Sequence, residues 1–192
     1  KEWVRMAKDA GMKYIVITSK HHDGFGLWPS AQTDWCIKST PFKRDPLAEL
    51  AAACKQAGVT LCFYHSIMDW HHPDYLPRRD WEKDRPTAGA DFDRYVAYMK
   101  NELKELLTNY GDIGVLWFDG EWENTWNTKY GRELYDYVRG LKANIIINNR
   151  VADNDQVAIG VHSGWKVRLI GNDLSRPDGL PPVVMVFAGA EA

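Results

Sequence analysis

Residues 113–124 read IGVLWFDGEWEN, an apolar run that passes straight into a carboxylate, a glycine and two more carboxylates framed by tryptophans. The run is short, apolar and bounded by a turn signal, so it predicts a buried strand that ends on Asp119. A charge at the end of a buried strand needs a reason, because burying one without a partner is costly. The flanking sequence supplies a frame for it. Upstream lies DFDRYVAYMKNELKELLTNYG, residues 91–111, with helical spacing of its apolar residues, and the same order of helix then strand recurs on both sides.

EWVRMAKDAG, residues 2–11, puts Trp3, Met6, Ala7 and Ala10 on one helical face, stops at Gly11, and leads into KYIVITS. DPLAELAAACKQAG, residues 45–58, has Asp45 as N-cap, Pro46 at the first helical position and Gly58 at the stop, before VTLCFYHS. YGRELYDYVRGLK, residues 130–142, leads into NIIINNR. Four short apolar strands alternating with helices predict parallel strands covered by helices, as in a doubly wound sheet or a (β/α)8 barrel. The strand exits decide between the two. KHHDGFGLW, YHSIMDWHHPDY, DGEWENTW and NNR are all polar, and a barrel focuses such ends on one pocket where an open sheet spreads them along an edge. No glycine-rich phosphate loop follows the first visible strand. The expected fold is therefore α/β and TIM-barrel-like. It is incomplete, because four helix–strand units fall short of the eight a barrel closes with.

Composition narrows the partners. With 45% hydrophobic and 26% charged residues, the 192-residue chain has enough apolar material for a globular core. A net charge of −2, with lysines and arginines scattered among acids, argues against a nucleic-acid partner. No apolar run approaches a membrane span, so no membrane partner is expected. Cys36, Cys54 and Cys62 have no CxxC spacing and predict neither a disulfide framework nor a zinc ribbon. The start, KEWVRM, has no initiator methionine or signal-peptide core and reads as internal.

Taken alone, Asp119 followed by Gly120 reads as a turn pair, with the aspartate capping its own backbone. Strand alternation adds a second reading. Trp117 and Asp119 point to one side and Phe118 to the other, so a carboxylate fixed beside an indole at a pocket mouth has the makings of a nucleophile.

The motifs SKHHDGF (residues 19–25), FYHSIMDWHHPDY (63–75) and above all LWFDGEWE (116–123), in this order, resemble the α-L-fucosidases of glycoside hydrolase family 29 over Lys1 to about Arg150. The resemblance implies a retaining exo-glycosidase that removes terminal α-L-fucose from glycans or glycoconjugates through a covalent fucosyl-aspartate, with no cofactor and no metal. It implies Asp119 as the nucleophile. His21, His22, Tyr64, His65, Trp117 and Arg150 are implied as substrate contacts, although the arginine here stands in NNRV where the family reads an NDRW-like motif. Family habit also suggests a periplasmic, secreted or lysosomal location.

Retention needs a second carboxyl group about 5 to 5.5 Å from the first, to protonate the leaving oxygen. The family takes it from a glutamate in a later stretch resembling GDFxTPE. That stretch is absent, so the acid/base is unassigned; Glu121 and Glu123 read as structural or subsite residues. Residues 1–150 are thus expected to be a partial catalytic core and 151–192 a divergent tail. The 6-deoxy methyl of fucose favours an aromatic wall, from Trp117 or from Phe25 and Trp28. Two other classes stay open: a fucose-binding protein without turnover, and a metal-dependent barrel hydrolase built on His21, His22, His65, His71 and His72. Adjacent His21 and His22 lack the HxH spacing that the metal reading wants.

Overall fold

The computed structural model describes residues 1–82 and 84–148; Arg150 and the expected tail, 151–192, lie outside the described residues. The chain alternates helix and strand: α1 (Glu2–Asp9), β1 (Tyr14–Lys20), α2 (Pro46–Ala57), β2 (Thr60–Ser66), α3 (Phe92–Asn109), β3 (Ile113–Asp119), α4 (Thr128–Leu141) and β4 (Ile146–Ile147). The strands form one parallel sheet in the order β1-β2-β3-β4. A doubly wound sheet reverses its strand order at a switch point. These four strands advance in one direction only.

α2, α3 and α4 each start where a polar side chain takes up free backbone donors. The Asp45 carboxylate accepts from Ala48 N at 2.9 Å, with Pro46 next in line, and Gly58 closes α2 in the left-handed region at φ 69°. Asp91 accepts from Asp93 N and Arg94 N, and Asn127 from Lys129 N and Tyr130 N. The Asn127 cap starts α4 at Thr128, ahead of the expected Tyr130.

One sheet face packs on the helices. Leu61 and Phe63 of β2 with Leu116 and Phe118 of β3 join Met99, Leu103 and Leu106 of α3 and Leu134 and Val138 of α4 in one buried core. Each such side chain contributes on the order of 1.5–3 kcal/mol by leaving water. Alternation sends Tyr64, Ser66, Trp117 and Asp119 to the opposite face, where Tyr64 stands beside Trp117 and Ser66 beside Asp119 in register. The register of β1 on β2 shifts between Thr18 and Lys20, which turns Lys20 toward the helices just before the chain leaves the sheet.

The first helix departs from expectation. Val4 and Ala7 are buried, while Trp3 and Met6 are exposed. Apolar residues occupy two adjacent faces of α1, and spacing alone does not say which of them meets α2 and β1.

Candidate active site

Three strand exits meet at Asp119. Its Oδ2 accepts a 2.7 Å hydrogen bond from the Tyr64 hydroxyl. Burial, and then this carboxylate, push the Tyr64 hydroxyl far above its usual range, so the phenol keeps its proton and remains a donor. Asp119 therefore does not cap its own turn. The glycine is there for the backbone: Gly120 has φ 93°, and a Cβ on it would stand 2.7 Å from Met68 Cγ.

His22 approaches the same carboxylate oxygen, with Nε2 4.0 Å from Oδ2. Its other nitrogen fixes the tautomer. The Ser66 hydroxyl donates to Met68 O at 2.8 Å, so at 2.6 Å it accepts from His22 Nδ1–H. Nε2 is then left with a lone pair. Burial lowers the His22 pKa, the His21 ring lowers it further, and Asp119 opposes them only in part. A neutral imidazole acceptor and a carboxylate acceptor thus face the same opening, and each can accept from the O–H of a different sugar hydroxyl.

The walls are aromatic. His21 lies stacked on the Tyr64 ring at 5.5 Å, and Trp117 is 6.4 Å from it. Trp70 and Trp122 pack on His22 at 5.4 and 5.9 Å. Trp70 N also donates to His22 O, which ties the β2 exit to the β1 exit. Arg79 lies over the Trp70 ring and pairs with Glu123 at 2.6 Å.

Not every residue expected at the site reaches it. His65 as a sugar contact is corrected: it is fully buried on the helix side, with Nδ1 3.0 Å from Ser19 Oγ and Nε2 3.6 Å from Glu102. The cause is strand alternation, which sends residues 64 and 65 to opposite faces. Trp28 is a core residue whose indole donates to Glu105, and the half-buried Phe25 packs edge-on against Trp35. His71 stacks on Trp35 and His72 packs on Tyr98. Among the described residues no three His, Cys, Asp or Glu side chains are grouped to hold a metal.

Behind the site lies a cluster that the sequence reading did not anticipate. Lys20, the residue before the histidine pair, is fully buried and contacts Glu102 of α3 at 2.5 Å and Asp69 at 3.2 Å. Burial alone would raise the Glu102 pKa, but Lys20 and His65 together outweigh it and hold the carboxyl at about 2. Asp69 Oδ1 accepts from His71 N and His72 N and sits where a Cβ of Gly24 would stand, 2.1 Å away. Three chain segments are pinned together there. One signal was available: Glu102 falls on the apolar stripe of α3 with Met99 and Leu106, where an acid needs a buried partner.

The sequence pattern of the family described as Alpha-L-fucosidase matches residues 1–168. The chain belongs to the alpha-L-fucosidase family. The family match reaches past Arg150, where the motif resemblance was expected to end. The chain is 33% identical to tissue alpha-L-fucosidase of Rattus norvegicus over 186 residues, 94% of this chain and 37% of that protein. It is 39% identical to alpha-L-fucosidase 1 of Arabidopsis thaliana over 122 residues, 62% of this chain and 21% of that protein. Among solved structures, alpha-L-fucosidase isoenzyme 1 from Paenibacillus thiaminolyticus superposes with a TM-score of 0.73 at 48% identity, over 80% of this chain and 38% of that one. Alpha-L-fucosidase AlfC from Lactobacillus casei, in complex with its alpha-L-fucose product, gives 0.71 at 34%, over 80% and 51%. The chain thus spans well under half the length of both curated relatives.

Proposed function

We propose that the protein carrying this chain hydrolyses terminal α-linked L-fucose with retention, through an ester to Asp119, and that its four strand units belong to a (β/α)8 barrel. The observation that carries the reaction is the 2.7 Å hydrogen bond from Tyr64 to Asp119 Oδ2, with His22 Nε2 4.0 Å from the same oxygen. Tyr64 holds one oxygen and orients the other, which among the described residues accepts no side-chain hydrogen bond, toward an incoming anomeric carbon. In the first step the Asp119–C1 bond forms and the bond from C1 to the glycosidic oxygen breaks, with a proton from the acid/base group passing to that oxygen. In the second, water attacks C1, its proton returns to the same group, and Asp119 is released. The acid/base stays unassigned, and Glu123 is paired with Arg79. His21, His22 and Trp117 are proposed to bind the sugar with Tyr64, as is Arg150, which lies outside the described residues. The barrel is supported by the unreversed strand order, and the substrate by family membership.

The test is 2-fluoro-fucosyl fluoride. Its fluoride leaves with little proton donation and its 2-fluorine slows breakdown of the ester. One adduct by intact mass, mapped to the peptide holding Asp119, is the expected result. A folded protein that gains no adduct overturns the proposal.

A further inference from the structure

Ser66 closes β2 and, in register, stands beside Asp119 on β3. It is fully buried, so any influence it has on a ligand passes through another group. Its hydroxyl is shared by two neighbours, His22 Nδ1 at 2.6 Å and Met68 O at 2.8 Å. A hydroxyl has one proton to give, and a carbonyl can only accept. The proton therefore goes to Met68 O, and the serine oxygen takes the Nδ1–H of His22. Turning the proton round would strip a buried carbonyl of this donor, which is unfavourable. Met68 is in turn fixed against the strand of the nucleophile. Ile67 N donates to Asp119 O at 2.7 Å, and Met68 fills the space beside Gly120 where a Cβ would stand.

The rings around His22 serve a different purpose. His21, Trp70 and Trp122 lie 4.2, 5.4 and 5.9 Å from it and restrict its plane, but ring contacts do not choose which nitrogen carries the proton. That choice is made by the hydrogen bond at the other nitrogen. Without Ser66 the imidazole is free to carry its proton on Nε2, 4.0 Å from Asp119 Oδ2. An N–H there would be a second donor to an oxygen that already accepts from Tyr64, and it would weaken the carboxylate as a nucleophile. A sugar O–H would also meet a donor where it needs an acceptor. We infer that Ser66 is a positioning residue of the reaction: it holds the His22 proton on Nδ1, so that Nε2 accepts from the sugar and Asp119 Oδ2 is left to Tyr64. This rests on the reading of Asp119 given above.

The experiment uses the full-length protein with 15N-labelled histidine and its Ser66→Ala, His22→Ala and double variants. Two-bond nitrogen–proton NMR at neutral pH distinguishes an N–H from a bare ring nitrogen, and His22→Ala assigns the signal by removing it. The parent is expected to show N–H at His22 Nδ1 and a bare Nε2, and Ser66→Ala to move the proton to Nε2. A proton on Nε2 in the parent overturns the inference without recourse to any variant, and so does an Nδ1–H that survives Ser66→Ala. Activity on α-L-fucosyl fluoride supplies the second readout. Ser66→Ala should lower kcat/KM about tenfold, the scale of one hydrogen bond, and should cost less than about twofold when added to His22→Ala. A tautomer that changes while kcat/KM does not, or losses that multiply in the double variant, reject a role exerted through His22. The expected tautomers in a protein that forms no adduct at Asp119 uphold the serine's hold on His22 and reject the reaction.

Discussion

Tyr64 and His65 are consecutive residues of one strand, yet they belong to opposite kinds of polar cluster. Tyr64 faces the open side with Asp119, Ser66 and His22, where the Asp119 and His22 side chains keep 25% and 12% of their surface. His65 faces the helices with Lys20, Glu102 and Ser19, all fully buried. The open cluster leaves acceptors turned toward a space a ligand can fill. In the closed cluster the lysine already has two carboxylates, so nothing is left to offer a substrate. Polar residues after a strand are therefore two populations, and burial separates them.

The comparison breaks first at Asp119. Asp119→Ala should lower kcat by roughly 10⁴-fold or more, as expected for a lost nucleophile, with an unchanged thermal melt because the side chain carries no packing load. A variant that keeps a tenth of its activity would move the chemistry elsewhere. In the closed cluster the effects are reversed. Glu102→Leu or Lys20→Met alone leaves a buried charge exposed to the core and should cost about 3–5 kcal/mol in denaturant unfolding, while the double replacement recovers much of it. Additive losses would mean that the two charges do not act as a pair.

Tyr64→Phe removes one hydrogen bond to a charged acceptor, worth about 1.5–3 kcal/mol, so kcat/KM should fall roughly tenfold to a hundredfold while stability holds. His65→Gln, one residue on, should do the opposite and register mainly in the melt. The two clusters also separate with pH. Glu102 has a folded pKa of about 2 against an ordinary value of 4.5, so its stabilisation is fully present above about pH 4.5 and is lost as pH falls toward 2. The His22 pKa is lowered, so the neutral acceptor persists below pH 6.5, and substrate binding should weaken only on further acidification. Measuring KM and urea midpoints over the same acid range separates the two clusters: KM follows His22 and the midpoint follows Glu102.

Some of this was present in the one-dimensional text. The Asp45-Pro46 start and Gly58 stop of α2, the four apolar strands and the polar exits of the first three are local features, written in adjacent residues, and each appears where the spacing put it. Alternation along β3 also put Trp117 and Asp119 on one face correctly. Pairing across the sheet was not legible. Whether Tyr64 or His65 meets Asp119 depends on the register of β2 on β3, and the turn of Lys20 toward Glu102 depends on a register shift between β1 and β2. The Lys20–Glu102 contact joins residues 82 positions apart, and the tautomer of His22 hangs on a hydroxyl 44 positions away. Sequence periodicity reports which faces an element has, because side-chain direction repeats along the backbone. Only the folded chain decides which faces meet, because that choice is made by packing and hydrogen bonding between segments that the sequence keeps far apart.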